Sequence, residues 1–314
     1  MLHCDKDARS IAAIQGESAS GNRTMGQTPP IAPACASVIV PAHNEAQHIG
    51  RTIRDILRAA HLAASKRGQG VTIIVVCNAC ADDTAGQAAA AAPTATIIET
   101  ETRGKARAIN LALAVAPPGP VVVVDADVAF EPCMLDAMLT AVAADGVLAA
   151  SPVARFALAE ASLPVRAYYR AFSRHPYLCR GVGGSGVYAL SATGRERIGT
   201  LPPIAADDEY VRNLFPLEFQ RRVASDAEGR PVRVSVHPPR TLVGLLKTEI
   251  RSRNGDRAVR RLCPPRSDVA PSWIWTAFRA APLDLAIFAA VKLAARLLMP
   301  FSRSGRGDGW AASR

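Results

Sequence analysis

Four consecutive valines at positions 121–124 are followed by Asp125-Ala126-Asp127. So apolar a run reads as a buried strand, and it delivers two carboxylates, one residue apart, into the loop that follows. Side chains at i and i+2 of an extended segment point the same way, so the pair can face a single site. Oxygen ligands with coordination positions to spare suit Mg²⁺ or Mn²⁺ bridging a diphosphate. Taken alone, the same pair is also what two solvated loop acids look like.

Other groups with chemical potential sit at comparable places. Arg103-Gly104-Lys105 opens a helix, where free backbone N–H groups and two cations favour a phosphate; a solvated basic turn is the plainer alternative. Asp207-Asp208-Glu209 opens a short helix through Val211 and Leu214. Adjacent carboxylates resist joint ionisation, which raises one pKa towards the range useful for proton transfer, although helix capping and dipole placement also explain acids there. Gly183-Gly184-Ser185-Gly186 does not lie between the first strand and its helix, so it is no dinucleotide fingerprint. It either lets backbone approach a ligand or makes a tight turn.

The elements that must position these groups form a regular series. Residues 37–40 read as a buried strand that stops at Pro41, and Asn44 or a neighbour can cap a helix running through Ile49, Ile53, Ile56 and Leu57. A strand at 71–76, an Ala-rich helix after Asp82-Asp83-Thr84, an extended 96–99, a helix with Ile109, Leu113 and Ala116, and the strand 121–124 follow. Strands this uniformly apolar indicate a mostly parallel α/β sheet with helices on both faces. Ligands of such sheets bind outside the carboxyl ends of the strands. The clusters at 43–45, 78–83 and 125–127 should therefore converge on one rim. Past Pro132 the pattern loosens: a helix near 134–144, strands near 146–150 and 187–190, a helix around 165–172, and an extended 230–240.

At 314 residues, 49% hydrophobic and 5% aromatic, the chain can bury one large α/β domain with an extension. That composition excludes neither an enzyme nor a binding module. The net charge of +10 is concentrated late: residues 230–314 carry 16 Lys or Arg against five Asp or Glu. Such a region attracts phospholipid headgroups, diphosphates or nucleic acid. It lacks interleaved aromatics for base stacking, with Trp273 and Trp275 the only close pair, so nucleic acid is not an expected partner. Seven cysteines at scattered spacing, with a single C-x-x-C at 77–80, match no zinc site and read as reduced thiols of a cytoplasmic protein. Residues 282–300 are apolar but interrupted by Asp284, Lys292 and Arg296. They fall short of a membrane span and suit an amphipathic helix that packs on the domain or lies on the inner face of the plasma membrane, an anionic surface being a further candidate partner.

Four motifs in order make the pattern specific: Ser37-Val-Ile-Val-Pro-Ala-His-Asn-Glu45, Val-Val-Cys-Asn78-Ala-Cys-Ala-Asp82-Asp83-Thr84, Arg103-Gly-Lys105-Ala-Arg-Ala-Ile-Asn110 and Asp125-Ala-Asp127. Together they resemble the inverting family-2 glycosyltransferases, which have a GT-A fold, over about residues 36–215. The resemblance implies a nucleotide diphosphosugar donor and a carbohydrate or lipid-linked acceptor. It implies that Pro41, Ala42, His43 and Glu45 lie against the nucleoside, that Asn78 meets the base edge where Asp is commoner, and that Lys105, Asp125 and Ala126 line the donor. Asp127 with Asp125 would hold Mg²⁺ or Mn²⁺. Asp208, or failing it Asp207, would be the base that deprotonates the acceptor hydroxyl.

The expected organisation is a disordered tail at 1–34, a GT-A domain at 35–240 and a basic, partly amphipathic helical extension at 241–314. Lys247 to Gly255 lacks the Gln and Trp of the family's Gln-x-x-Arg-Trp element, which argues against a processive synthase; Arg251 and Arg253 could still close over a diphosphate, although a solvated or membrane-facing helix is the plainer reading. A non-catalytic sugar-nucleotide-binding or membrane-scaffold protein of the same fold is the first alternative. A sugar nucleotidyltransferase is the second, although Pro41-Ala-His-Asn-Glu45 is not the Gly-rich basic loop that such an enzyme carries after its first strand.

Overall fold

The computed structural model of the protein describes residues 36–263 and 272–299; the expected tail at 1–34 and the end of the extension lie outside the described residues. The chain begins β1 (Ala36–Ala42), α1 (Ile49–Arg67), β2 (Val71–Asn78), α2 (Thr84–Ala91), β3 (Thr96–Thr100), α3 (Lys105–Val115) and β4 (Val121–Val124). β1 pairs in parallel with β2 and β4, and β2 with β3. Strict alternation then sorts the side chains. Val38, Val40, Val122 and Val124 enter one buried cluster with Ile49, Ile53 and Ile56 of α1, while Ile39, Val121 and Val123 enter another with Ile109 of α3. Both faces are covered, as the uniformly apolar strands require, and each fully buried Ile or Val contributes about 1.5–3 kcal/mol relative to exposure.

The strand starting at Ser37 does not stop at Pro41: it continues to Ala42, pairing Pro41 with Val76. Proline is tolerated because the ladder with β4 ends at the Ile39–Val123 register, which leaves an edge-like position on that side. β2 likewise runs two residues further than its hydrophobic stretch suggested, so Asn78 is the last residue of a strand. α1 starts with His48 at its N-cap, not Asn44, and is closed by Gly68 in a left-handed conformation whose N–H donates to Ala64 O.

The second half supplies α4 (Pro132–Ala143), β5 (Ala149–Phe156), α5 (Leu163–Phe172), the single-turn α6 (Pro176–Cys179), β6 (Val187–Leu190), α7 (Ala192–Ile198), α8 (Asp207–Leu214), β7 (Gln220–Val223), β8 (Arg233–Val236), α9 (Leu242–Arg260), α10 (Ser272–Ala280) and α11 (Pro282–Leu298). The strand order is β3-β2-β1-β4-β6-β5-β7, with β8 also on β5. β6 is antiparallel to both β4 and β5; the other pairings are parallel. β7 and α10 are elements the hydrophobic pattern did not announce. α5, α9 and α11 share a separate apolar cluster built on Tyr168, Leu245, Phe288 and Val291. Among the described residues no helix is long and apolar enough to cross a membrane.

Candidate active site

The carboxyl ends of β1, β2 and β4 do meet on one rim, and side-chain bonds lace their loops together. His43 Nδ1 lies 2.8 Å from Asn78 O. Asn78 is 0% exposed; its Nδ2 donates to Ala42 O at 2.8 Å and its Oδ1 accepts from Gly104 N–H at 3.1 Å. One buried amide therefore ties the ends of β1 and β2 to the start of α3, donating to the first partner while accepting from the second, which an ionised carboxylate could not do. Asn44, at a left-handed φ of 55°, accepts from Ala81 N–H at 2.7 Å, and Glu45 N–H donates to Thr84 Oγ1 at 2.8 Å.

Lys105, the first residue of α3, reaches across the rim. Its Nζ lies 2.7 Å from Asp125 Oδ1 and 2.8 Å from Asp207 Oδ1. Burial alone would lower the lysine pKa, but the carboxylates of Asp125, Asp207 and Asp208 outweigh it and hold the ammonium above its ordinary value. Asp207 is 0% exposed, so its charge is balanced within the protein. Asp125 is pushed up to about 6 by desolvation against the pull of Lys105, with Asp207 and Asp127 adding repulsion.

Residues 125–127 are not an extended continuation of β4. Val128 N–H donates to Asp125 O at 3.1 Å, which closes a turn through the buried Ala126 and leaves Asp125 and Asp127 both half-buried beside each other. A turn, not the extended backbone expected from the sequence, carries the two carboxylates. Among the described residues no group of three or more His, Cys, Asp or Glu is gathered closely enough to hold a metal ion. His237 is exposed.

The glycine-rich segment completes the rim from the other side. Gly186 O accepts from Asp125 N–H at 2.9 Å. Gly186 has φ of 68°, and a Cβ there would stand 3.1 Å from Asp125 Oδ2, so backbone conformation and crowding both demand glycine. Gly184 N–H donates to Asp208 Oδ2 at 3.1 Å, and Asp208 Oδ1 accepts from Glu209 N–H at 2.9 Å. Asp207 and Asp208, adjacent in sequence, therefore have different surroundings: the first faces Lys105 and the second the glycine loop. Glu209 is pushed up to about 7 by burial, against a hydrogen bond from Asn213 and with Asp208 and Asp256 adding to the rise.

Residues the motif reading passed over hold that loop. Gln220 Oε1 accepts from Val182 N–H at 2.8 Å, Arg212 Nη1 donates to Val182 O at 3.0 Å, and Arg222 Nη1 donates to Gly183 O at 3.0 Å. The Arg212 guanidinium lies 4.7 Å from the centre of the Tyr177 ring, against which Gly183 packs. The run Gln220-Arg221-Arg222 in a short strand was the available signal. Arg253 does not reach over the rim; its Nη2 donates to Lys292 O on α11 at 2.9 Å.

Residues 37–177 match the family model described as Glycosyl transferase family 2. No curated protein matches the chain. Among solved structures, a mannosyltransferase from Pyrobaculum calidifontis in complex with GDP-Man and Mn²⁺ is 21% identical, with 92% of this chain and 82% of that one covered at a TM-score of 0.56. Glucosyl-3-phosphoglycerate synthase from Mycobacterium tuberculosis in complex with phosphoglyceric acid is also 21% identical, covering 75% and 82% of the two chains at a TM-score of 0.50. At such identities the likeness speaks for the fold, GT-A, which is the one the motifs implied. The segment that carries β1 to β4 and their rim belongs to glycosyl transferase family 2, and the chain is a glycosyltransferase.

Proposed function

We propose that the protein transfers a sugar, with inversion, from a nucleotide diphosphosugar to a hydroxyl of a carbohydrate or lipid-linked acceptor. The observation that carries this reading is the contrast between Asp207 and Asp208 at one rim. Asp207 is buried against Lys105, whereas Asp208 is oriented by the Gly184 N–H and is not fully buried. Asp208 is thereby the residue suited to take the acceptor proton while the acceptor oxygen attacks the anomeric carbon from the face opposite the departing diphosphate. Asp207 holds Lys105.

The donor set fits a hard divalent cation, Mg²⁺ or Mn²⁺, at Asp127 and Asp125: two half-buried carboxylates whose mutual repulsion helps push Asp125 up, with phosphate oxygens and water left to fill the remaining positions. Such an ion would neutralise charge developing on the leaving diphosphate. Its use is supported by the mannosyltransferase structure, which contains Mn²⁺ and GDP-Man. Pro41, Ala42, His43 and Glu45 are the residues for the nucleoside. Asn78, its amide engaged by Ala42 and Gly104, supports that surface from beneath, and Lys105 with Ala126 lines the diphosphate side. The free Cys77 and Cys80 suit a cytoplasmic workplace.

The test is a binding and turnover screen of purified protein against UDP-, GDP-, dTDP- and CDP-sugars, with Mn²⁺ or with EDTA, alongside Asp127→Ala. One donor bound or hydrolysed only with metal and intact Asp127 is the expected result. Tight binding of every donor in EDTA, unchanged in Asp127→Ala, would remove the metal; binding of none would remove the donor assignment.

A further inference from the structure

α11 is apolar on two sides. Phe288, Val291 and Ala295 are buried against α5 and α9, in the cluster with Tyr168 and Leu245. Leu283, Ala286, Ala290, Leu293 and Leu297, at alternating three- and four-residue steps, form a second stripe that faces out, with Leu283 78% and Leu297 62% exposed. α10 adds Ile274, Trp275 and Phe278; Trp275 is 70% exposed, and its ring meets that of Phe278 edge-on at 6.4 Å. Large apolar side chains grouped in this way on a folded surface mark a contact site.

The charges around the stripe identify the partner. Arg279 and Arg296 are exposed, whereas the only acid on the two helices, Asp284, is buried and held by Arg170 at 2.6 and 2.8 Å. A second copy of the same face would bring cations to cations with no acid between them, whereas phosphate headgroups complement an arginine rim and acyl chains complement the leucines. An exposed tryptophan suits the water–lipid boundary. We propose that α10 and the outward stripe of α11 seat the protein on the surface of an anionic phospholipid bilayer, with α11 lying in the interface plane.

The seat is linked to the Asp208 side of the site through α9. Lys292 projects from the inner side of α11, 2.6 Å from Glu249 on α9, and α9 packs in turn against α8, which opens with Asp207 and Asp208. A lipid-linked acceptor held in the same bilayer would approach Asp208 from this direction; that corollary rests on the transferase reading, whereas the seat does not.

Flotation of the full chain with phosphatidylcholine vesicles, with and without phosphatidylglycerol, tests the seat. Binding to the phosphatidylglycerol vesicles at low salt is expected, with affinity at least about tenfold weaker for pure phosphatidylcholine, for L293Q/L297Q and for R279E/R296E. All four substitutions are at exposed positions and should leave thermal unfolding and nucleotide-sugar binding unchanged. Absence of flotation, flotation unaffected by either double variant, or a lipid-independent dimer that L293Q/L297Q dissociates would each overturn the seat. A chain that floats but binds no nucleotide sugar keeps the seat and removes the donor assignment, and the reverse result does the opposite.

Discussion

Lys105 Nζ and Asp207 Oδ1 stand 2.8 Å apart, a contact that joins the first residue of α3 to the first residue of α8 and balances a carboxylate removed from solvent. Breaking a buried pair by removing one partner leaves the other uncompensated, at a cost of about 3–5 kcal/mol.

Lys105→Met should therefore lose stability near the lower end of that range, about 3 kcal/mol at about pH 7, because Asp125 keeps some access to water. The variant's two acids, deprived of their cation, hold protons more tightly folded than unfolded, so the deficit should shrink as pH falls. Urea titrations at neutral and mildly acidic pH measure both effects. A deficit independent of pH would mean that the ammonium is not balancing these acids.

Asp208→Asn should lower kcat by about 10²–10⁴-fold, the usual contribution of a positioned base, and leave donor affinity unchanged in calorimetry. Asp207→Asn should instead act first on stability, because it removes one of the two carboxylate partners of a buried ammonium. Equal kinetic losses with unchanged unfolding in both variants would contradict the division of roles.

Asn78→Asp replaces the donor facing Ala42 O with a carboxylate oxygen. The expected loss is about 1–3 kcal/mol at neutral pH. A protonated Asp can donate again, so its folded pKa should be raised and stability should return as pH drops through it. A variant as stable as the parent at neutral pH would show that the Asn78 amide does not clamp the rim.

Glu209 gives the native protein a pH signature. Its pKa rises from an ordinary 4.5 to about 7 on folding, so between these values the folded chain holds a proton that the unfolded chain has released. Stability contributed by this group is complete below the lower value and is lost as pH climbs through the window. Glu209→Gln, which has no proton to lose, should flatten the decline in denaturation midpoints across that range. An unchanged slope would place the titration elsewhere.

The rim was legible because it depends on local pattern: apolar strands that end in chemically active loops. The conformation of each loop was less so. Asn78 lies inside β2 and residues 125–127 make a turn, since strand length and turn formation depend on neighbouring ladders that a single segment does not display. The bracing of the glycine segment by Arg212, Gln220 and Arg222 was hidden for the same reason. Those contacts exist only after β5, β6 and β7 have come together from distant parts of the chain, and an arginine in a charged stretch carries no mark of the carbonyl it will meet. Likewise, the sequence showed that residues 282–300 are amphipathic, but the division of α11 into a packed side and an outward side required the positions of α5 and α9.

β6 runs antiparallel between β4 and β5, and this has a consequence for biosynthesis. Until residues 187–190 emerge from the ribosome, Val121–Val124 is an open sheet edge of four consecutive valines, paired only on its β1 side. Such an edge is a template for pairing with another chain. Fragments truncated before residue 187 should then self-associate, whereas the complete chain closes the edge with its own later strand.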